Sequence, residues 1–182
     1  MTRNSDEALL VIDIQNDYFP GGAMELEGAD AAAAKAAAAL ARFREQGLPV
    51  IHVRHLSVRP GATFFLPDTP GAEIHVSVRP KPGETVIEKN FPNSFRSTNL
   101  QAQLEGSKVK NLVVAGMMTH LCVDATVRQA ADLGYKLTLL ADACATRTQK
   151  FAGETVPARQ VHAAFLAALS GFYAKVVDFH DL

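Results

Sequence analysis

The stretch that most constrains this chain runs from Val109 to Thr126. Leu112, Val113 and Val114 begin it as a short apolar run, the pattern of a strand buried on both faces. Gly116 breaks that run, and Thr119 stands where an N-cap would. Val123, Val127 and Ala130 then recur at helical spacing, and Gly134 follows as a C′ residue. The prediction is strand, sharp turn and helix, with Cys122 in the first helical turn. A thiol there feels the helix dipole and unpaired N–H groups, which favour the thiolate and lower its pKa. Cys122 is therefore the candidate nucleophile.

Similar runs alternate with helical segments along the rest of the chain. Residues 8–12 are a buried-strand run with Asp13 at its carboxyl end, and residues 14–22 carry the Asn, Asp, Pro and Gly of a loop. The alanine-rich segment from Asp30 to Gln46 predicts a helix, with Leu40 and Phe43 as its packing face and Gly47 and Pro49 beyond its end. Further strands are expected at 49–53, 85–88, 136–141 (ending at Asp142) and 174–178. Helices are expected at 97–105 and from Pro157 to Leu169, with a loop containing Gly153 before the second. This alternation predicts an α/β fold, a mostly parallel sheet with helices on both faces. At 182 residues and 48% hydrophobic content, the chain is expected to form one domain, 1–182.

From His55 to Gly83 the pattern stops. This segment holds Pro60, Pro67, Pro70, Pro80 and Pro82 and no helical period. So long an irregular segment forms either a lid or binding wall, or a contact between subunits.

The bulk numbers exclude several classes of function. A net charge of −1 leaves no basic footprint for nucleic acid or an anionic membrane. No apolar run approaches the roughly 18 residues of a membrane span. The opening Met-Thr-Arg-Asn-Ser-Asp-Glu lacks a signal-peptide apolar region. Two cysteines make no disulfide framework, so a reducing, cytoplasmic setting is expected. Cys144, in the loop after a strand with no helix start beside it, is expected to pack in the core.

In open α/β sheets, sites form beyond the carboxyl ends of the strands. Asp13, Lys89 and Cys122 each lie at such an end, on three different strands. A carboxylate takes the thiol proton, and an ammonium holds the thiolate and keeps the acid poised. Taken singly, each has a structural reading too: Cys122 an inert small hydrophobe, Asp13 a cap, Lys89 a solvated loop charge.

The residues from Leu9 to Phe19, from Glu88 to Phe95 and from Val114 to Val123, with the Asp142-Ala143-Cys144 turn, resemble the isochorismatase-like cysteine hydrolases. That superfamily includes nicotinamidases, N-carbamoylsarcosine amidases and isochorismatases, and the resemblance covers nearly the whole chain. It implies a three-layer α-β-α fold around a six-stranded parallel sheet and a homo-oligomer. By motif it implies a triad of Asp13 as general acid/base, Lys89 as its cationic partner and Cys122 as nucleophile. It also implies a cis peptide between Met117 and Met118, with the Met118 and Cys122 N–H groups forming an oxyanion hole. Gln15, Tyr18 and Phe19 resemble positions near the substrate pocket, and Arg54 and His55 are further candidates there.

One departure narrows the chemistry. Members that hydrolyse nicotinamide carry an Asp-x-His metal motif just after the second strand, with another histidine nearby. Here the place reads Val53-Arg54-His55-Leu56-Ser57. His52 and His55, three apart on a strand, point to opposite faces and chelate poorly. No catalytic metal and no other cofactor are expected. The leading expectation is a cysteine-dependent, metal-independent hydrolase of a small amide or carbamoyl substrate, acting through a thioester. The rivals are an isochorismatase-type vinyl-ether hydrolase releasing pyruvate, with Arg54, Arg59, Arg79 or Arg96 binding a carboxylate, and a non-catalytic thiol-based redox or ligand-binding protein.

Overall fold

The computed structural model describes residues 6–182. Part of the opening segment, in which no signal-peptide region was expected, lies outside the described residues. Six parallel strands form the central sheet: β1 (Glu7–Ile12), β2 (Val50–His55), β3 (Thr85–Lys89), β4 (Asn111–Met117), β5 (Lys136–Ala145) and β8 (Lys175–Val177). Their order is β3-β2-β1-β4-β5-β8, so the chain winds outward one way from β1 and then restarts the other way from β4. The point between β1 and β4 is where the winding reverses. Ligands bind at the carboxyl edge of such a point.

At the centre of the sheet both faces are buried because β1 and β4 are apolar at nearly every position. On β1, Leu9 and Val11 face the first helix, α1 (Ala29–Glu45), together with Ala36, Leu40 and Phe43. Ala8, Leu10 and Ile12 face the opposite layer, where α2 (Leu100–Gly106), α3 (Asp124–Asp132) and α4 (Ala158–Leu169) contribute Leu104, Val127 and Leu169. The alanines of α1 let its axis lie close to the sheet: Ala32, Ala33, Ala36 and Ala39 are all buried. Gly134, at φ 89°, closes α3 as expected, with the Tyr135 N–H returning to the Ala130 carbonyl. No helix among the described residues is long and apolar enough to cross a membrane.

Three local expectations need correction. Gly116 does not break β4, which continues to Met117. A Cβ at Gly116 would lie 2.2 Å from the Ile12 carbonyl oxygen, so the glycine lets β4 close against β1 at the winding reversal. β5 does not stop at Asp142. Its pairing with β4 jumps from Leu139↔Val114 to Cys144↔Gly116, and the bulge lets the strand run on to Ala145 with Cys144 inside it. The loop around Gly153 is a hairpin of β6 (Gln149–Phe151) and β7 (Glu154–Val156). Its two turn residues, Ala152 at φ 49° and Gly153 at φ 85°, supply the two positive angles of a two-residue hairpin turn. The Asn-Gly or Asp-Gly pair that signals such a turn is absent, so the hairpin was not legible.

The segment after β2 is irregular but not loose. Ser57 N–H donates to the Phe65 carbonyl at 2.8 Å, and His75 N–H donates to the Ile14 carbonyl at 2.9 Å. Its backbone is thus stitched to the loop that follows β1, forming a wall beside the carboxyl edge of the sheet.

Candidate active site

Asp13, His55, Lys89 and Cys122 converge at that edge, and each is placed by a strand end. Asp13 leaves β1 in the left-handed region (φ 51°), a conformation that aspartate tolerates better than most residues. His55 and Lys89 are the paired last residues of β2 and β3. Cys122 lies in a tight π-type turn, Thr119–Val123, between β4 and α3. Such turns recur at functional sites because they re-aim side chains out of regular register. The Lys89 ammonium is the hub: it donates to Asp13 Oδ2 at 2.7 Å, to His55 Nδ1 at 2.9 Å and to Cys122 Sγ at 3.3 Å. Asp13 and Lys89 are wholly buried.

Asp13 Oδ1, the carboxylate oxygen that Lys89 does not hold, is buried with no hydrogen-bond partner. One Asp13 oxygen, a His55 ring nitrogen and Cys122 Sγ lie within 4.8 Å of one another. The Asp13 carboxylate therefore stands within 4.8 Å of the thiol whose proton it would receive. Lys89 is half of a coupled pair: burial opposes its charge, but the Asp13 carboxylate outweighs burial and holds its pKa above the ordinary lysine value.

The thiol itself corrects the sequence reading. Burial, reinforced by the neighbouring Asp13 charge, pushes the Cys122 pKa well above the usual thiol range, and Lys89 offsets only part of this. The residue sits inside the π-type turn and not at a free helix start, so the expected dipole effect does not decide its state. Cys122 rests as a thiol and becomes a thiolate only by handing its proton to a neighbour. Thr119 likewise is no N-cap. Its hydroxyl donates to the Ala145 carbonyl (3.2 Å) and accepts from His162 Nδ1 (2.9 Å), tying the turn to β5 and α4. The peptide between Met117 and Met118 is cis, as the resemblance implied. The Met118 carbonyl accepts from the N–H groups of Leu121 and Val123 but not from that of Cys122 between them.

Above Cys122 opens a cavity of about 280 Å³, lined by Tyr18 from the loop after β1, by His55 at the end of β2, by Ser57, Val58, Arg59, Phe64 and Phe65 from the wall, and by Asn90, Phe91, Pro92 and Leu121 opposite. Of the residues named as pocket candidates, Tyr18 and His55 line this cavity. Three other candidates do not. Gln15 is a buried strut whose side-chain amide bonds the backbone of His55 and Ala72, because two passing segments need their polar groups satisfied. Phe19 stacks on His75 at 3.6 Å, away from the cavity lining. Arg54 is paired with Glu73 and Glu88 on another surface.

The isochorismatase domain matches residues 7–181. The chain is 54% identical over 169 residues to the isochorismatase family protein YddQ of Bacillus subtilis, covering 93% of this chain and 94% of that one. It belongs to the isochorismatase family. A putative isochorismatase hydrolase from Oleispira antarctica has the same fold, with a TM-score of 0.95, 50% identity and coverage of 100% and 97% of the two chains. Relatives named for an activity include a streptothricin hydrolase of Streptomyces noursei (38% identity; 84% of this chain, 55% of that one) and nicotinamidase 3 of Arabidopsis thaliana (29%; 94% and 84%). The chain is an isochorismatase-family hydrolase.

In this hydrolase the wall supplies Phe64 and Phe65 to the pocket, and the loop after β3 supplies Phe91, none of which sequence reading assigned. The adjacent Phe64-Phe65 pair inside a Pro-rich polar stretch was the one available signal. Asp17 is a second missed residue: its carboxylate accepts the Phe65 N–H at 2.6 Å and the Ala23 N–H at 3.2 Å. Gly71 packs so tightly on that carboxylate that a Cβ would fall 2.1 Å from it. On the other side, Ser94 Oγ and Thr126 Oγ1 lie 2.9 Å apart, fastening the loop after Lys89 to the helix after Cys122. As for a metal, Asp13, His55 and Cys122 are three donors of suitable type, but they converge on the Lys89 ammonium. A cation placed among them would meet that fixed positive charge, so the donor set fits the ammonium and not a metal.

Proposed function

We propose that this hydrolase cleaves the C–N bond of a small amide or carbamoyl substrate by nucleophilic catalysis at Cys122, without a metal. The observation that carries the reading is the Lys89 ammonium bonded at once to the Asp13 carboxylate and the Cys122 sulfur, with the carboxylate within 4.8 Å of the thiol. The names of the amide-cleaving relatives agree with it.

Asp13 takes the thiol proton as Sγ attacks the substrate carbonyl, so the thiolate forms only as its bond to carbon forms. The negative charge moves to the carbonyl oxygen, toward the Met118 and Cys122 N–H groups that serve as its donors. Collapse of the tetrahedral species expels the nitrogen, which leaves as the amine after receiving the proton from Asp13. A water then gives its proton to Asp13 and attacks the thioester, releasing the acid and restoring the thiol. Lys89 holds the Asp13 carboxylate in place and steadies the sulfur. His55 accepts from Lys89 through Nδ1, and burial, aided by the Lys89 charge, lowers its pKa to about 4, so at neutral pH it orients the ammonium without adding charge.

The burial of Cys122 argues against a redox-sensor reading, since sensor cysteines are solvent-accessible. The test is an amide and carbamate panel run on wild type and Cys122→Ala, with and without EDTA dialysis. Ammonia release that is lost in the variant and unaffected by EDTA supports the mechanism. Full activity in Cys122→Ala overturns it.

A further inference from the structure

The charges around the cavity do not balance. Beneath it, Asp13 and Lys89 offset one another at 2.7 Å. Cys122 rests as a thiol, His55 is neutral at pH 7, and burial holds the Tyr18 phenol protonated. Asp17 and Arg147 both act on Tyr18 from outside the lining, with opposite signs. The remaining charge on the lining itself is Arg59, and no carboxylate lines the cavity.

Arg59 is also free to use that charge. Arg54 is held by Glu73 and Glu88, Arg44 by Glu84, and Arg96 lies over the Phe91 ring at 3.7 Å. Among the described residues no acidic side chain pairs with the Arg59 guanidinium. Its backbone, by contrast, is fixed. The Ala62 N–H donates to the Arg59 carbonyl at 3.2 Å, with Pro60 and Gly61 between them and Gly61 at φ 78°. Proline then a positive-φ glycine is the signature of a type II turn. The Ser57 N–H to Phe65 carbonyl bond closes the base of the same loop. An unpaired guanidinium on a rigid turn, above an otherwise neutral and largely aromatic cavity, is built to take a planar anion through two parallel hydrogen bonds.

We propose that Arg59 forms an anion subsite, so that the substrate is a small amide carrying a carboxylate near its scissile carbonyl. The carboxylate lies against Arg59 while the carbonyl carbon faces Cys122 Sγ. This rests on the Cys122 mechanism above and adds a substrate class to it. It singles out Arg59 from the four arginines considered for this role: Arg54 is consumed elsewhere, Arg96 is stacked, and Arg79 lines a different surface groove.

The test uses two thiol reagents of nearly equal shape and different charge, iodoacetate and iodoacetamide. In both, Cys122 sulfur displaces iodide and loses its proton. Labelling is read at Cys122 by peptide mapping, and the ratio of the two rate constants is normalised to free cysteine. The ratio is expected to fall about tenfold in Arg59→Gln, the low end of electrostatic focusing in a charged cleft. Arg59→Lys should restore part of it, and Arg79→Gln should match wild type. A second arm titrates succinamate and butyramide into Cys122→Ala by calorimetry, where adding Arg59→Gln should weaken succinamate selectively. An unchanged reagent ratio, or equal binding of the two amides, overturns the anion subsite. If neither reagent labels Cys122, the nucleophile assignment fails, and the calorimetric arm still decides the role of Arg59.

Discussion

The floor and the wall of the cavity are built in opposite ways. The floor is made of strand ends: Asp13, His55 and Lys89 are held by the register of β1, β2 and β3, and the Cys122 turn is pinned between β4 and β5 by Thr119. The wall, from Leu56 to Gly83, has no strand or α-helix and is held by isolated backbone bonds and the Asp17 carboxylate. Fixed chemistry on the regular elements and variable contacts on the irregular one is a division that keeps reacting groups aligned while the pocket changes. It teaches that damage to the two regions should be read in different quantities: the floor in kcat and stability, the wall in KM.

The largest expected effects are on the floor. Asp13→Asn should cut kcat by about 10³-fold in an ammonia-release assay, because it removes the acceptor of the thiol proton. Lys89→Met leaves Asp13 buried and uncompensated, so urea denaturation should show a loss of about 3–5 kcal/mol. If Lys89→Met were as stable as wild type, the ammonium would not be the hub of the floor.

On the wall, Asp17→Asn weakens the charge-assisted bond to the Phe65 N–H. It should cost about 1.5–3 kcal/mol in the same denaturation experiment and raise KM more than it lowers kcat. A variant that lost kcat at constant KM would erase the distinction between the two regions.

Acidification tests the site histidine. His55 has a folded-state pKa of about 4, lowered first by burial and then by Lys89. Between its unfolded value, about 6.5, and 4, the unfolded chain binds the proton and the folded one does not. Stability should therefore fall as pH drops through that window and stop falling from this cause below 4. His52, His75, His120 and His162 are shifted in the same direction, so His55→Gln should flatten the decline in part. Glu84, held down to about 2 by its bond to Arg44, adds a separate loss below pH 4.5. Denaturation curves at pH 7, 5.5, 4.5 and 3 separate the windows.

The smallest effect is expected at the other cysteine. Cys144 is buried in β5, and its pKa is pushed up to about 12 by burial, with no ammonium beside it. Cys144→Ala should cost about 1 kcal/mol, on the order of one buried methylene, and leave kcat as in wild type.

The same division explains what the sequence made legible. Apolar strand runs followed at once by Asp13 and by Lys89 placed both groups at one sheet edge, because strand period and winding rule are local and general. The Cys122 turn was legible as a turn, but the thiol's state was not, since it depends first on burial and then on Asp13, more than a hundred residues away in the chain. The wall has no period to read. Gln15 and Phe19 looked like pocket residues by position, yet their partners, the His55 and Ala72 backbone and the His75 ring, come from distant segments. The β6–β7 hairpin was missed because Ala152 occupies a positive-φ position where Asn or Asp would have marked it.

The central claim is that Cys122 carries the acyl group. Rapid acid quench of the enzyme turning over an amide, followed by intact-mass measurement and peptide mapping, tests it most directly. The account predicts an acyl adduct on Cys122 that hydroxylamine removes and that is absent from Cys122→Ala. Rapid turnover in Cys122→Ala, or an adduct on another residue, would contradict it.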